Sequence, residues 1–330
     1  MLVVVCVLGA CVGAILLLHY LLSPKILQLK GKHVMITGGS SGIGQALAIE
    51  AAKKGANISI LARNQTALNA AKEVIQKELL DNVTQKVMAI SVDISKDYDV
   101  LTSKIQQAEQ EIGPVTMLIN CAGFSIAGRF EDISLNDFKR LMDVNYFGSV
   151  CATKAVVEGM KQRECGRIVF VSSQAGQLGV CGFSGYSASK YALRGLAESL
   201  QMEWKPYSIR VTLSFPPDTD TPGYKEELKS KPKETQLISE TSGLFKPQQV
   251  AHQIIADAQF GRFISSIGLE GYMLSNLTCG MSPVCCVGDA IQQVLTMSIF
   301  RLVSFFYLWG FDRVVRKCKE EAKADKSKID

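Results

Sequence analysis

Tyr186 and Lys190 stand four residues apart in Tyr186-Ser187-Ala188-Ser189-Lys190, a spacing that puts a phenol and an ammonium on one face of a helix. A free tyrosine, with a pKa of about 10, is a slow acid or base at neutral pH. A neighbouring ammonium favours the phenolate and brings that pKa toward the working range. Taken alone the pair carries little weight, because any exposed helix can show it. Its meaning comes from position, after Ser172-Ser173 and far downstream of Thr37-Gly38-Gly39-Ser40-Ser41-Gly42-Ile43-Gly44. That second segment is a glycine turn able to hold a pyrophosphate, so acid, cation and dinucleotide cradle occur in one chain.

These residues need a scaffold, and the apolar pattern supplies one. Runs at 33–37, 58–62, 87–92, 117–120, 167–172 and 210–215 are rich in Val, Ile and Leu and predict buried strands. Helices are expected between them, among others over 43–54, 65–78 and 138–161. Strands separated by helix-length crossovers imply a parallel sheet covered on both faces, a doubly wound, Rossmann-like α/β fold.

The glycine turn follows the first predicted strand and opens the first predicted helix, the context that gives such a pattern its value. Gly38 allows the tight turn, Gly42 the approach of backbone to phosphate, and Gly44 the packing of helix on sheet. With Ser40, Ser41 and Ile43 they form the expected cofactor cradle, where free N–H groups at a helix start favour negative charge. The second strand ends in Arg63. A carboxylate there would hold a ribose 2'-hydroxyl and repel a 2'-phosphate, whereas a guanidinium suits the phosphate. NADPH is therefore the expected cofactor, and Ser40 could add a hydroxyl to the same phosphate.

The Gly-x-x-x-Gly-x-Gly spacing resembles the short-chain dehydrogenase/reductase superfamily. The resemblance implies roles for further residues. Asp93 matches the position that contacts adenine, and Asn120-Cys121-Ala122-Gly123 matches an Asn-Asn-Ala-Gly element at the cofactor, with Cys121 in place of the second Asn. Thr219 lies where relatives carry a threonine near the nicotinamide amide, although Pro217 replaces the usual glycine. Lys190 would hydrogen-bond the nicotinamide ribose. Ser173, 13 positions before Tyr186, would hold the substrate oxygen while Tyr186 delivers the proton. Ser172 is the alternative in register and a candidate for lining the substrate pocket. Asn145 matches the helix asparagine that supports a water relay to the lysine. The activity implied is hydride transfer to a ketone with Tyr186 as general acid.

At 330 residues the chain is long enough for one α/β domain of about 250 residues plus extensions. Its hydrophobic content of 47% against 20% charged residues is concentrated at the ends. Residues 2–18 carry no charge, and the apolar run continues to Leu22, which predicts an uncleaved transmembrane anchor over 1–24. Lys25, Lys30 and Lys32 follow directly and place the rest of the chain in the cytosol by the positive-inside rule. The expected catalytic domain spans 25–270. An apolar, membrane-associated segment over 271–312 follows it, read as two short helices or a hairpin. Arg301 near its middle would cost about 3 kcal/mol at the centre of a lone spanning helix. A basic cytosolic tail occupies 313–330 and ends Lys326-Ser327-Lys328-Ile329-Asp330, the form of a dilysine retrieval signal.

Ten scattered cysteines lack the spacing of a zinc site or a disulfide framework, so no metal is expected and the thiols fit a cytosolic face. The net charge of +5 is modest, and no basic stripe points to nucleic acid. An anchored domain favours an insoluble lipid substrate. The segments at 171–179, 216–223 and 271–274 resemble the branch of the superfamily that reduces keto-sphingoid bases. That resemblance implies a membrane-embedded sphingoid ketone as substrate and the endoplasmic reticulum membrane as location. A hydroxysteroid or retinol dehydrogenase remains an alternative, as does a non-catalytic lipid-binding protein. Oligomeric state stays open, a homodimer included.

Overall fold

The computed structural model describes Gly13 and residues 25–326. The expected anchor over 1–24 lies, Gly13 aside, outside the described residues. Within them the apolar runs pair into a sheet of seven strands: β1 (His33–Thr37), β2 (Asn57–Ala62), β3 (Val87–Ser91), β4 (Val115–Asn120), β5 (Gly166–Val171), β6 (Ile209–Phe215) and β7 (Ile264–Ser266). Their spatial order is β3-β2-β1-β4-β5-β6-β7, and every pairing is parallel.

The crossovers are helical: α1 (Gly42–Lys53), α2 (Gln65–Gln76), α3 (Tyr98–Ile112), α4 (Leu135–Met142), α5 (Gly148–Gln162) and α6 (Ser184–Trp204). Beyond β6 come α7 (Pro222–Glu227), α8 (Lys233–Ser239), α9 (Pro247–Phe260), α10 (Gly268–Leu277) and α11 (Val287–Lys326). Starts are marked by short polar side chains that serve free N–H groups. Asn64 accepts from Ala67, Asp97 from Val100 and Ser134 from Asp137.

Two apolar layers hold the sheet between them. On one face Leu47, Leu68, Ile75, Val250 and Ile254 bring α1, α2 and α9 against Ile36, Ile58 and Ile119. On the other, Leu101, Ile105, Val156, Met160 and Leu193 bring α3, α5 and α6 against Met35, Leu118 and Phe170. All of β1 and β5 is buried, which is why these strands read as unbroken apolar runs rather than alternating ones.

Three features differ from the sequence expectation. The helix predicted over 138–161 begins at Leu135 and contains one π-turn, Asp143–Phe147, between α4 and α5. β7 has only three residues, too few for a periodic signal. Residues 271–312 fall in two helices of very unequal length rather than two short ones. Gly271 and its neighbours sit in α10, with Gly271, Ser275 and Asn276 buried, and Ile291 onward belongs to the 40-residue α11. That helix runs without a break through the expected tail as far as Lys326. Its Val287–Glu321 portion contains an 18-residue window with a mean hydropathy of 1.6, long and apolar enough to cross a membrane.

Candidate active site

Strand order reverses between β1 and β4, and a cavity of about 1300 Å³ opens at the C-terminal ends of these strands. It runs from the glycine turn, past Ser173, Tyr186 and Lys190, to the apolar residues Met297, Phe300, Leu308 and Phe311 of α11.

The turn end is shaped by backbone alone. Gly38 has φ +71°, and a Cβ on it would stand 2.8 Å from the Ala122 Cα. A Cβ on Gly44 would stand 2.2 Å from the Gly38 carbonyl oxygen, so Gly44 lets α1 start hard against the turn. Ser41 caps α1 without a side-chain hydrogen bond, which leaves the first-turn N–H groups facing the cavity with Ser40, Gly42 and Ile43. These positions fit a pyrophosphate. Arg63 stands exposed on the rim after β2. Asp93 follows β3; partial burial works against its carboxylate, but the Ser95 hydroxyl and backbone N–H outweigh it and hold the pKa below the usual carboxylate range. Thr219 also lines the cavity, with its hydroxyl donating to the Pro217 carbonyl at 2.8 Å.

Asn120 departs from its expected place at the cofactor. It is buried at the end of β4, its amide donates to the Thr153 hydroxyl at 2.9 Å, and the cavity wall there is Cys121, Ala122 and Gly123. Its side chain ties β4 to α5. A residue that sequence reasoning passed over fixes the same corner: the Thr37 hydroxyl oxygen accepts from both Cys121 N and Ala122 N at 3.1 Å.

Tyr186 lies in the first turn of α6, and the Ser173 hydroxyl hydrogen-bonds its phenol. Ser172, one residue earlier, instead donates to the Lys190 carbonyl at 3.0 Å while forming part of the cavity wall. The ammonium of Lys190 donates to the Val171 carbonyl at 2.9 Å and stands 5.8 Å from the centre of the Tyr186 ring. Burial pulls its pKa down to about 8. The phenol moves the other way. Burial, followed by the carboxylates of Glu227 and Asp218, pushes it well above its ordinary value, against the depression expected from the ammonium.

Asn145 sits in the π-turn, a helix irregularity that recurs at functional sites. Its Oδ1 accepts from Phe124 N at 3.0 Å, and its Nδ2 donates to Phe124 O at 3.0 Å and to Ser189 Oγ at 2.9 Å. The side chain thereby clamps the loop after β4 to α6. Gly123 lies between Asn145 and Lys190: a Cβ there would come within 2.9 Å of Asn145 Oδ1 and 3.3 Å of Lys190 Nζ.

Outside the cavity, Cys285, Cys286 and Asp289 bring three potential metal ligands within 4.8 Å of one another. The Asp289 carboxylate is already engaged, by the Cys285 thiol at 2.8 Å and Arg262 at 3.6 Å.

Comparison with known proteins agrees with this geometry. A "3-ketodihydrosphingosine reductase" from Bos taurus is 55% identical over 310 residues, which cover 93% of each chain. A "3-dehydrosphinganine reductase" from Danio rerio is 54% identical over 325 residues, covering 96% of this chain and 98% of that one. Among solved structures, that of levodione reductase superposes with a TM-score of 0.67 at 21% identity, over 75% of this chain and 99% of its own, a likeness of fold. Residues 32–232, from β1 through the segment that follows α7, match the short chain dehydrogenase family. With the nucleotide cradle at the strand-order reversal and Tyr186, Ser173 and Lys190 beside it, the chain belongs to that family and is an oxidoreductase that works with a nicotinamide cofactor.

Proposed function

We propose that this protein reduces 3-ketodihydrosphingosine (3-dehydrosphinganine) to dihydrosphingosine with NADPH, at the endoplasmic reticulum membrane and with its catalytic domain facing the cytosol. The observation that carries the reading is the single cavity that joins the cofactor cradle and Tyr186 to an apolar wall on α11. A polar ketone head can meet Tyr186 while its alkyl chain lies against Met297, Phe300 and Leu308. The near-full-length likeness to reductases named for this substrate supports the same choice.

Bound in the cradle, the nicotinamide nucleotide supplies the hydride. The chain's own residues do the rest. Ser173 holds the carbonyl oxygen and keeps it within reach of the phenol. Tyr186, whose surroundings keep it protonated, donates the proton to that oxygen as the alcohol forms. Lys190, fixed by the Val171 carbonyl, would hold the cofactor's ribose and lend positive charge to the phenolate that Tyr186 leaves. Asn145 keeps the Phe124 loop and α6 in register around them. Arg63, at the end of β2 where an NAD enzyme would carry a carboxylate, supports NADPH.

Purified protein incubated with a panel of ketones and either NADPH or NADH tests the reading. The keto-sphingoid base should be reduced with NADPH in clear preference to NADH. Turnover of a steroid or retinoid ketone with no oxidation of NADPH by the keto-sphingoid base would overturn it.

A further inference from the structure

The part of the cavity wall that carries Asp218 and Glu227 has a charge imbalance. Lys231 has a fully buried side chain, and its ammonium lies 3.2 Å from Asp218 Oδ2 and 3.0 Å from Glu227 Oε1. The rings of Phe183 and Tyr224 stand 5.3 Å from the same ammonium and keep water from it. Glu227 also accepts a hydrogen bond from the Ser125 hydroxyl through its other oxygen. Two carboxylates thus share one cation, and the cluster holds one net negative charge.

Its neighbours are balanced. Glu226 pairs with Lys229, Asp220 with Lys225 and Glu234 with Arg129. The Lys231 cluster, by contrast, has one carboxylate in excess beside the phenol of Tyr186. Glu227 and Asp218 line the cavity, and they are the carboxylates that act on Tyr186. An uncompensated charge in a largely buried wall is costly to keep, so its retention calls for a cation to complete it. The cofactor brings none when it binds, because the reduced nicotinamide ring is neutral and its phosphates are anionic. Gln174 Nε2 is a buried donor with no hydrogen-bond partner among the described residues, and Gln174 lines the same cavity. A polar group of the ligand is therefore wanted beside the cation.

We propose that Glu227, backed by Asp218 and the shared Lys231, binds the substrate's ammonium group and selects 2-amino ketones over neutral ketones. This rests on the reading of the substrate as a keto-sphingoid base, which carries an amine on the carbon next to the ketone and a hydroxyl on the carbon beyond. With the ketone oxygen held by Ser173 and Tyr186, the adjacent ammonium meets the Glu227 wall, and Gln174 is placed to serve the hydroxyl. The bound amine also cancels the negative charge that opposes phenolate formation at Tyr186. Selection and proton transfer are then linked through one carboxylate.

The test compares 3-ketodihydrosphingosine with its 2-deamino analogue of equal chain length, using the purified full chain in detergent micelles. Wild-type protein should favour the amine, and Glu227→Gln should lower kcat/KM for it by about 10- to 100-fold, the range of a lost charged hydrogen bond. Turnover of the deamino ketone should be unchanged or improved, so that the selectivity ratio collapses. Glu227→Asp should recover part of the ratio. Fluorescence titration with NADPH and the thermal midpoint serve as checks that cradle and fold are intact. Equal losses on both ketones, or a ratio that Glu227→Gln does not alter, would overturn the role of Glu227 while leaving the substrate reading in place. Failure of wild-type protein to reduce either ketone would overturn the substrate reading, and this assignment with it.

Discussion

Burial acts in opposite senses on the two members of the proposed catalytic pair. It pushes the Tyr186 phenol up, which keeps it protonated, and pulls the Lys190 ammonium down to about 8. As pH rises, the first proton to leave comes from the Lys190 ammonium. Ketone reduction should therefore hold a plateau at neutral pH and decline, with roughly unit slope in log kcat/KM, above about pH 8. Steady-state NADPH oxidation at saturating cofactor, scanned from about pH 6 to about pH 10, measures it. Tyr186→Phe should bind NADPH normally yet be inactive across the scan. A wild-type rate that stays flat through the alkaline limb would remove Lys190 from the step assigned to it.

At the scale of elements, His33 joins the start of β1 to two neighbours. Its Nδ1 lies 2.7 Å from the Gly113 carbonyl at the end of α3, and its Nε2 lies 2.8 Å from the Ser59 hydroxyl on β2. Burial lowers its pKa from 6.5 to about 4, so between these values the unfolded chain binds more protons than the folded one. The stability His33 confers by staying neutral is present above pH 6.5 and is lost as pH falls toward 4, by up to about 3 kcal/mol. Urea melts at about pH 7 and about pH 4.5 should show this loss, and His33→Gln should show a smaller one. An identical pH dependence in the variant would refute the assignment. The elements that carry such groups were largely legible in the sequence, because β1, β2 and β4 to β6 are buried on both faces and leave unbroken apolar runs. The π-turn was not, since a single extra residue per turn at Asn145 leaves the apolar period of 138–161 almost unchanged. The site divided in the same way. Tyr186, Lys190 and the glycine turn are local patterns, whereas Glu227 meets Ser125 across 102 residues and Thr37 meets Ala122 across 85, contacts that only the folded sheet creates.

At the scale of the whole molecule, α11 presents one apolar face to the cleft and another to the outside. Met297, Phe300, Arg301, Ser304, Leu308 and Phe311 recur at three- and four-residue steps and line the cavity. Val294, Leu295, Ile299, Leu302, Phe306 and Trp309 occupy the rest of the surface and are exposed. The helix is held in this pose by the T-shaped contact of Phe300 with Tyr272 of α10, by Tyr307 on Glu270 at 3.3 Å, and by Lys233 of α8 on Glu321 at 2.7 Å. Arg301, an expensive residue in a lone spanning helix, stacks 4.8 Å from Phe305 and reaches the cleft. The two faces should therefore separate genetically. In a chain that starts at Lys25, so that the expected anchor over 1–24 cannot hold it, replacing Leu302, Phe306 and Trp309 together with glutamine should release the protein from liposomes in a flotation assay, yet leave kcat/KM for a micellar ketone within about twofold, because an exposed substitution removes little folding energy. Phe300→Ala together with Leu308→Ala should keep liposome binding and raise KM for the long-chain ketone by about tenfold or more, the loss of about 1.5–3 kcal/mol per buried side chain. A short-chain ketone, which does not reach α11, should be reduced by that variant as by wild-type protein. If the outward set raised KM in micelles, or the inward set left KM for the long-chain ketone untouched, α11 would not be the wall along which the alkyl chain lies.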